Sequence, residues 1–167
     1  DYTADTVKMM ADQGQWVDPT LGHHLLGQEA KDRGEIGPMN PHWAVSFKVV
    51  GEAEHVETLT NMHDAGVRFT TGLDMGMAYG THDRSAANAW AFVEMLGWSN
   101  WKAINAATAG TAEALGLVKQ IGSLEAGKVA DLAAFSGDPA QSIRDMDQAS
   151  TVVQAGRLLK LNDTVLV

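Results

Sequence analysis

Twice in the first half of the sequence a helical apolar period runs into a glycine, and a β-prone run follows at once. Val7, Met9, Met10 and Ala11 recur at roughly helical spacing after Thr3, whose hydroxyl can accept a backbone N–H at a helix start. Gly14 ends that segment, and Gln15 to Thr20 follows as a short strand that Pro19 must close, because proline offers no N–H to a sheet. Pro41 suits the first turn of a second helix, in which Ala44, Phe47, Val50, Ala53, Val56, Leu59 and Met62 recur through to Ala65, with a break near Gly51 as an alternative. Gly66 stops it, and Val67 to Thr71 alternates as a strand into Gly72-Leu73-Asp74-Met75-Gly76. Strands that alternate with helices specify an α/β fold with a parallel sheet, and such sheets gather reactive groups beyond the carboxyl ends of their strands.

The stretch from Leu21 to Asn40 breaks any period with its glycines and mixed charge, and reads as a long surface loop, with a helical turn or two over Leu25 to Lys31 as an alternative. Ser85 to Leu96 and Ser99 to Leu115 give two more helices, each opened by a capping Ser and closed by a glycine. After Gly122 the texture changes: Val129 to Phe135 and Ser150 to Lys160 are β runs, the second split at Ala155-Gly156 in hairpin fashion. The expected organisation is therefore two parts, 1–121 and 122–167, with no internal repeat.

Composition removes several function classes. A formal charge of −9 opposes binding to a phosphate backbone, which is driven by Lys and Arg, so no nucleic acid partner is expected. No apolar run approaches the ~20 residues that span a bilayer, and the first residues lack the pattern of a signal peptide, so no membrane association is expected either. The absence of Cys excludes disulfides and thiolate ligands and suits reducing and oxidising compartments alike; the cytoplasm is the default expectation. The chain begins without Met, which suggests a start inside a longer reading frame or after processing.

Asp74 is the candidate catalytic residue. It stands at the carboxyl end of the second strand between Gly72 and Gly76, which tolerate conformations that side chains forbid. Asp beside Gly is also ordinary turn chemistry, so its position alone leaves both readings open. His23, His24 and His82 lie in loops on the same side, yet no His spacing of a helical metal site is present, and solvated loop histidine is the simpler reading. His42, His55 and His63 fall on the long helical stretch as surface or packing residues. Trp90, Trp98 and Trp101, with Met9, Met10, Met62 and Met95, read as core or helix-packing anchors.

Asn61 to Gly76 resembles the eighth-strand region of the amidohydrolase superfamily, in which a strand ends in a Gly-Thr-Asp-Ala-Gly-like motif; here Leu73 and Met75 replace the usual Thr and Ala. Ala103 to Thr108, Ala112 to Leu117 and Ile121-Gly122-Ser123-Leu124-Glu125-Ala126-Gly127-Lys128-Val129-Ala130-Asp131-Leu132 are similar to the segments that follow in that family. Gly137-Asp138-Pro139 and Val152 to Leu158 resemble its closing strands, and the opening helix with Gln15 to Thr20 resembles the seventh strand of imidazolonepropionase-like and prolidase-like members. The resemblance implies a C-terminal portion of a (β/α)8 TIM-like barrel over 1–121 and part of a small β-sandwich over 122–167. A whole barrel needs ~250 residues, so this one would be incomplete.

The resemblance also implies hydrolysis of C–N bonds in an amide, cyclic amide or dipeptide-like small molecule, with one or two divalent metals, zinc foremost, polarising the carbonyl and activating water. Asp74 matches the family's strand-eight Asp, which binds metal and relays the proton; substrate-binding residues stay unassigned. The family's other ligands, a His-x-His, a Lys or Glu and two further His, have no counterpart in this sequence. The chain alone is accordingly expected to be inactive, the alternative being a non-catalytic structural fragment that oligomerises. Strands taken from a barrel expose edges and apolar faces, so a homo-oligomer is expected in either case.

Overall fold

A computed structural model of the chain describes residues 3–35, 52–76 and 80–166 and has a mixed α/β fold. Helix α1 (Ala4–Asp12) starts at the expected cap, the Thr3 side chain accepting the Thr6 N–H at 3.2 Å. Strands β1 (Trp16–Val17) and β2 (Arg68–Phe69) pair in parallel, Trp16 opposite Arg68 and Val17 opposite Phe69. The pairing continues one step further, where the Thr70 N–H donates to the Val17 carbonyl at 2.9 Å.

The stretch expected as a loop from Leu21 is instead helix α2 (Gly22–Asp32), and residues 36–40 lie outside the described residues. Leu21, Leu26 and Ala30 form its buried face, and Gly22 and Gly27 are buried with them. A Cβ on Gly22 would stand 2.6–2.8 Å from Leu73 and the backbone of Ala87 and Asn88, so this glycine permits close packing rather than loosening the chain, and that is why composition misled. Helix α3 (Glu52–Asp64) carries Leu59 and Met62 into the core as its period predicts. The earlier part of that expected helix, with Pro41 and His42, lies outside the described residues.

Helix α4 (Ala87–Glu94) is buried from Ala87 to Phe92 and forms the centre of the molecule. Helix α5 (Asn100–Asn105) is capped by Ser99, whose side chain accepts the Lys102 N–H at 3.3 Å. The expected single helix then changes pitch: Ala106–Gly110 is π-helical before α6 (Thr111–Ala114) resumes, and the Thr111 hydroxyl donates to the Ala106 carbonyl at 2.7 Å. Phe69, Phe92 and Trp98 meet as an aromatic cluster, with Phe92 and Trp98 ring centroids 4.6 Å apart. Trp90 is fully buried, as expected, but Trp101 is 68% exposed and Met9 52%, so neither is a core anchor.

Beyond Ile121 the chain forms an antiparallel sheet in the order β3 (Leu132–Phe135), β4 (Ala149–Gln154), β5 (Arg157–Leu161), β6 (Thr164–Val165). The β4–β5 turn falls at Ala155-Gly156, both at positive φ, as its hairpin reading requires. A short 3-10 helix, Ile143–Asp147, enters β4 and anchors this region to the helices. Its Arg144 donates to both carboxylate oxygens of Glu94 at 2.5 and 2.6 Å and to Glu29 of α2 at 2.6 Å, with its guanidinium 4.6 Å from the Trp90 ring centre. The guanidinium of Arg84 lies 5.0 Å from the same ring centre.

Candidate functional site

Parallel pairing puts the carboxyl ends of β1 and β2 side by side, so Asp18-Pro19-Thr20 and the segment from Thr70 to Asp74 leave the sheet together. Their contact is close. A Cβ on Gly72 would stand 1.9 Å from an Asp18 carboxylate oxygen, so a side chain here would push that carboxylate aside. Asp74 is itself left-handed, at φ 55°, a region that Asp tolerates better than most residues, and Gly76 follows at φ 98°. The Asp74 residue is exposed, while Leu73 beside it is buried. The loop thus turns one residue into the core and the next out.

Two side chains from elsewhere hold that turn. Asn88 of α4, with no exposed surface, accepts the Gly22 N–H at 2.8 Å and donates to the Gly72 carbonyl at 2.9 Å. It ties the first turn of α2 to the loop after β2 in one buried bridge. His23 supports the other flank: its Nε2 lies 3.0 Å from the Asp74 carbonyl. A carbonyl only accepts, so Nε2 carries a proton in this contact. Nδ1 is buried and has no hydrogen-bond partner among the described residues.

Of the expected site residues, the structure brings His23 to the backbone of Asp74, not to its carboxylate. His24 instead faces His55 of α3, ring centroids 5.1 Å apart, and His82 sits exposed in a 3-10 turn, His82–Arg84. His63 lies at the far end of α3, against Trp98. Asn88 was missed by the sequence reading. Its only signal there is a polar residue amid Ala86-Ala87 and Ala89-Trp90-Ala91-Phe92, on a helix that is otherwise apolar.

A metal centre needs several ligands converging on one point. Among the described residues no group of three His, Asp or Glu is placed to hold an ion, so Asp74 can contribute one ligand and these residues do not complete a site. Among the described residues, too, no helix is long and apolar enough to cross a membrane.

Residues 2–159 match the amidohydrolase family. Among solved structures, the chain is similar to a Xaa-Pro dipeptidase with methionine bound in its active site, at a TM-score of 0.77 and 25% identity over 95% of this chain and 37% of that one. It is similar also to a prolidase-assigned protein from Bifidobacterium longum, at TM-score 0.74 and 28% identity over 92% of this chain and 37% of that one. A prolidase complexed with N-methylphosphonate-L-proline aligns at TM-score 0.74 and 25% identity, over 96% of this chain and 38% of that one. The chain therefore spans little more than a third of the length of these relatives. A sequence comparison with curated proteins gives no significant match.

Proposed function

Because the chain belongs to the amidohydrolase family, in its prolidase-like branch, we propose that it is the part of a C–N hydrolase that supplies the strand-eight carboxylate. In this reading 1–121 is the end of a (β/α)8 barrel, with β1 and β2 as its last two strands, and 122–167 belongs to a small β-sandwich. Asp74 is the catalytic carboxylate and one metal ligand. The observation that carries the reading is the left-handed Asp74, exposed at the carboxyl end of β2 in a loop braced by Asn88 and His23.

A divalent metal, zinc foremost, would supply Lewis acidity and an activated water in the complete enzyme. This chain's own contribution is narrower: Asp74 presents a carboxylate that accepts a proton from the attacking water and delivers it to the leaving nitrogen, and Asn88 and His23 fix where that carboxylate stands. The likeness to solved structures described as a Xaa-Pro dipeptidase and prolidases supports a dipeptide with a C-terminal proline as the small-molecule substrate class.

The test assays the 167-residue chain with zinc or manganese against prolyl dipeptides and N-acyl amino acids, and then with the missing ligands supplied in trans by the N-terminal portion of a prolidase relative. Expected are no turnover alone and turnover on complementation that Asp74→Asn abolishes. Chelator-sensitive turnover by the chain alone would overturn the incomplete-site part of the reading, and complementation indifferent to Asp74 would overturn its assignment. A second reading, a non-catalytic oligomerising chain, is favoured by the exposed apolar side chains on and beside the β3–β6 sheet, among them Leu161, Val165 and Leu166.

A further inference from the structure

At the opposite end of the paired strands from Asp74, where Trp16 and Arg68 begin β1 and β2, lies a pocket of about 290 Å³. Three elements meet there: the strand starts, the last turn of α3 with His63, and the α5–π segment with Lys102, Asn105 and Gly110. Its floor is aromatic, formed by Trp16, Phe69 and Trp98, with Phe69 and Trp98 stacked at 5.9 Å and an interplanar angle of 21°. Arg68 is committed to the wall. It donates to Glu113 at 2.6 Å and to the Gly14 carbonyl at 2.9 Å, and lies 4.2 Å from the Trp16 ring centre.

Lys102 is held differently. Its ammonium sits 4.1 Å from the Trp98 ring centre and in hydrogen-bond contact with His63 Nε2; burial lowers its pKa and the charge of Asp64 opposes that shift. An ammonium can only donate, so His63 accepts here and is neutral. Burial pushes His63 below the ordinary imidazole value, with Lys102 adding to the effect and Asp64 and the Val67 carbonyl opposing it. The pocket wall also changes helical pitch, Ala106–Gly110 being π-helical, a distortion often found at ligand sites.

We propose that this pocket binds a small carboxylate carried on a flat apolar body, Lys102 and His63 holding the carboxylate and the Trp98–Phe69 stack the body. Two neighbouring nitrogens, an ammonium and an imidazole, match the two oxygens of one carboxylate, and the aromatic rings match a flat apolar body. The ligand enters between the two nitrogens: Lys102 keeps its charge, and His63 takes a proton from solvent so that Nε2 becomes a donor. The charged groups facing His63 are Lys102 of α5 and Asp64 of α3, with the Val67 backbone before β2 hydrogen-bonded to it and Arg68 and Glu113 already paired across the pocket. Binding therefore strengthens as pH falls towards the ordinary imidazole value.

Phenylacetate is the probe, titrated into the 167-residue chain and followed by calorimetry and by the indole N–H resonances. Saturable binding is expected, moving Trp16 and Trp98 but not the core Trp90. Lys102→Met should weaken it at least about tenfold while Lys102→Arg retains it, since each 1.4 kcal/mol is tenfold in affinity. Lys119→Met, an exposed lysine outside the pocket, should leave it unchanged. Acetate, which lacks the flat body, and inorganic phosphate should bind at least about tenfold more weakly than phenylacetate. No saturable binding, shifts confined to other residues, or affinity equal for phosphate would overturn the proposal. Should Lys102→Met fail to fold, the pH test still decides on the unmodified chain: affinity that does not rise between about pH 8 and about pH 6 overturns the role of His63.

Discussion

At the residue scale, the site depends on a side chain that does no chemistry. Asn88 satisfies a buried donor from α2 and a partly buried acceptor from the loop after β2. Replacing it with Leu keeps the volume and orphans both, at about 1–3 kcal/mol for each buried group left unpaired. Asn88→Leu should therefore lower unfolding free energy by about 2–4 kcal/mol, read by urea denaturation. Loss under about 0.5 kcal/mol would mean that water replaces the bridge. Histidines set a second expectation. Burial lowers His55, and burial with Lys102 lowers His63. A base whose folded value lies below its unfolded value binds more protons when unfolded, so stability is complete above about 6.5 and declines as pH falls through the window beneath it. The decline between about pH 7.5 and about pH 5.5 should flatten in a His55→Gln, His63→Gln double variant, and an unchanged slope would remove both residues from the account.

At the element scale, Arg144 joins two helices to the region that holds the antiparallel sheet. It meets Glu94 of α4 through two hydrogen bonds and Glu29 of α2 through one, and hydrogen bonding to Glu94 raises its pKa further above its already high value. The side chain is 38% exposed, so solvent screens much of the attraction. Arg144→Met should cost about 1–2 kcal/mol in thermal or urea unfolding, roughly the same from neutral pH to mild alkali, because the guanidinium does not titrate there. Neither this clamp nor Asn88 is legible in a sequence read by period, since each joins segments far apart along the chain. What was legible rests on local chemistry: the Thr3 and Ser99 caps, the apolar face of α3, and the Ala155-Gly156 turn. Helix α2 was lost because Gly22 and Gly27 look like breakers where they are packing residues. Strand β6 was lost although Asn162-Asp163, both at positive φ, supplies the turn before it. Asp74 was placed by its strand and its glycines, while its left-handed backbone and the contact of its carbonyl with His23 are tertiary features that no local pattern carries.

At the scale of the whole molecule, the two sheets are covered very differently. The helices enclose Phe69 of β2, but no residue of β3 to β6 is fully buried. Leu132, Leu158, Leu161 and Val165 remain 38%, 38%, 42% and 66% exposed, and Leu124 and Leu166 add to the same chain region at 85% and 51%. The β1–β2 pair also has no third strand on either side among the described residues. Unpaired strand edges and contiguous apolar surface both favour association. Burying ~800 Å² of apolar area contributes on the order of 20 kcal/mol before the costs of association and ordering, so a modest interface outweighs those costs. The chain should therefore run as a dimer or larger species in light scattering at micromolar concentration. Leu158→Lys with Val165→Lys should shift it towards monomer, because Val165 pairs with Lys160, two residues from Leu158, so both side chains share one face and like charges would stand in the surface that must be buried. A compact wild-type monomer that unfolds cooperatively would overturn the expectation, because it would show that the sheet is stable with one face in water. Oligomers unaffected by the two lysines would move the interface to the edges of β1 and β2, where strand pairing rather than apolar burial would hold the copies together.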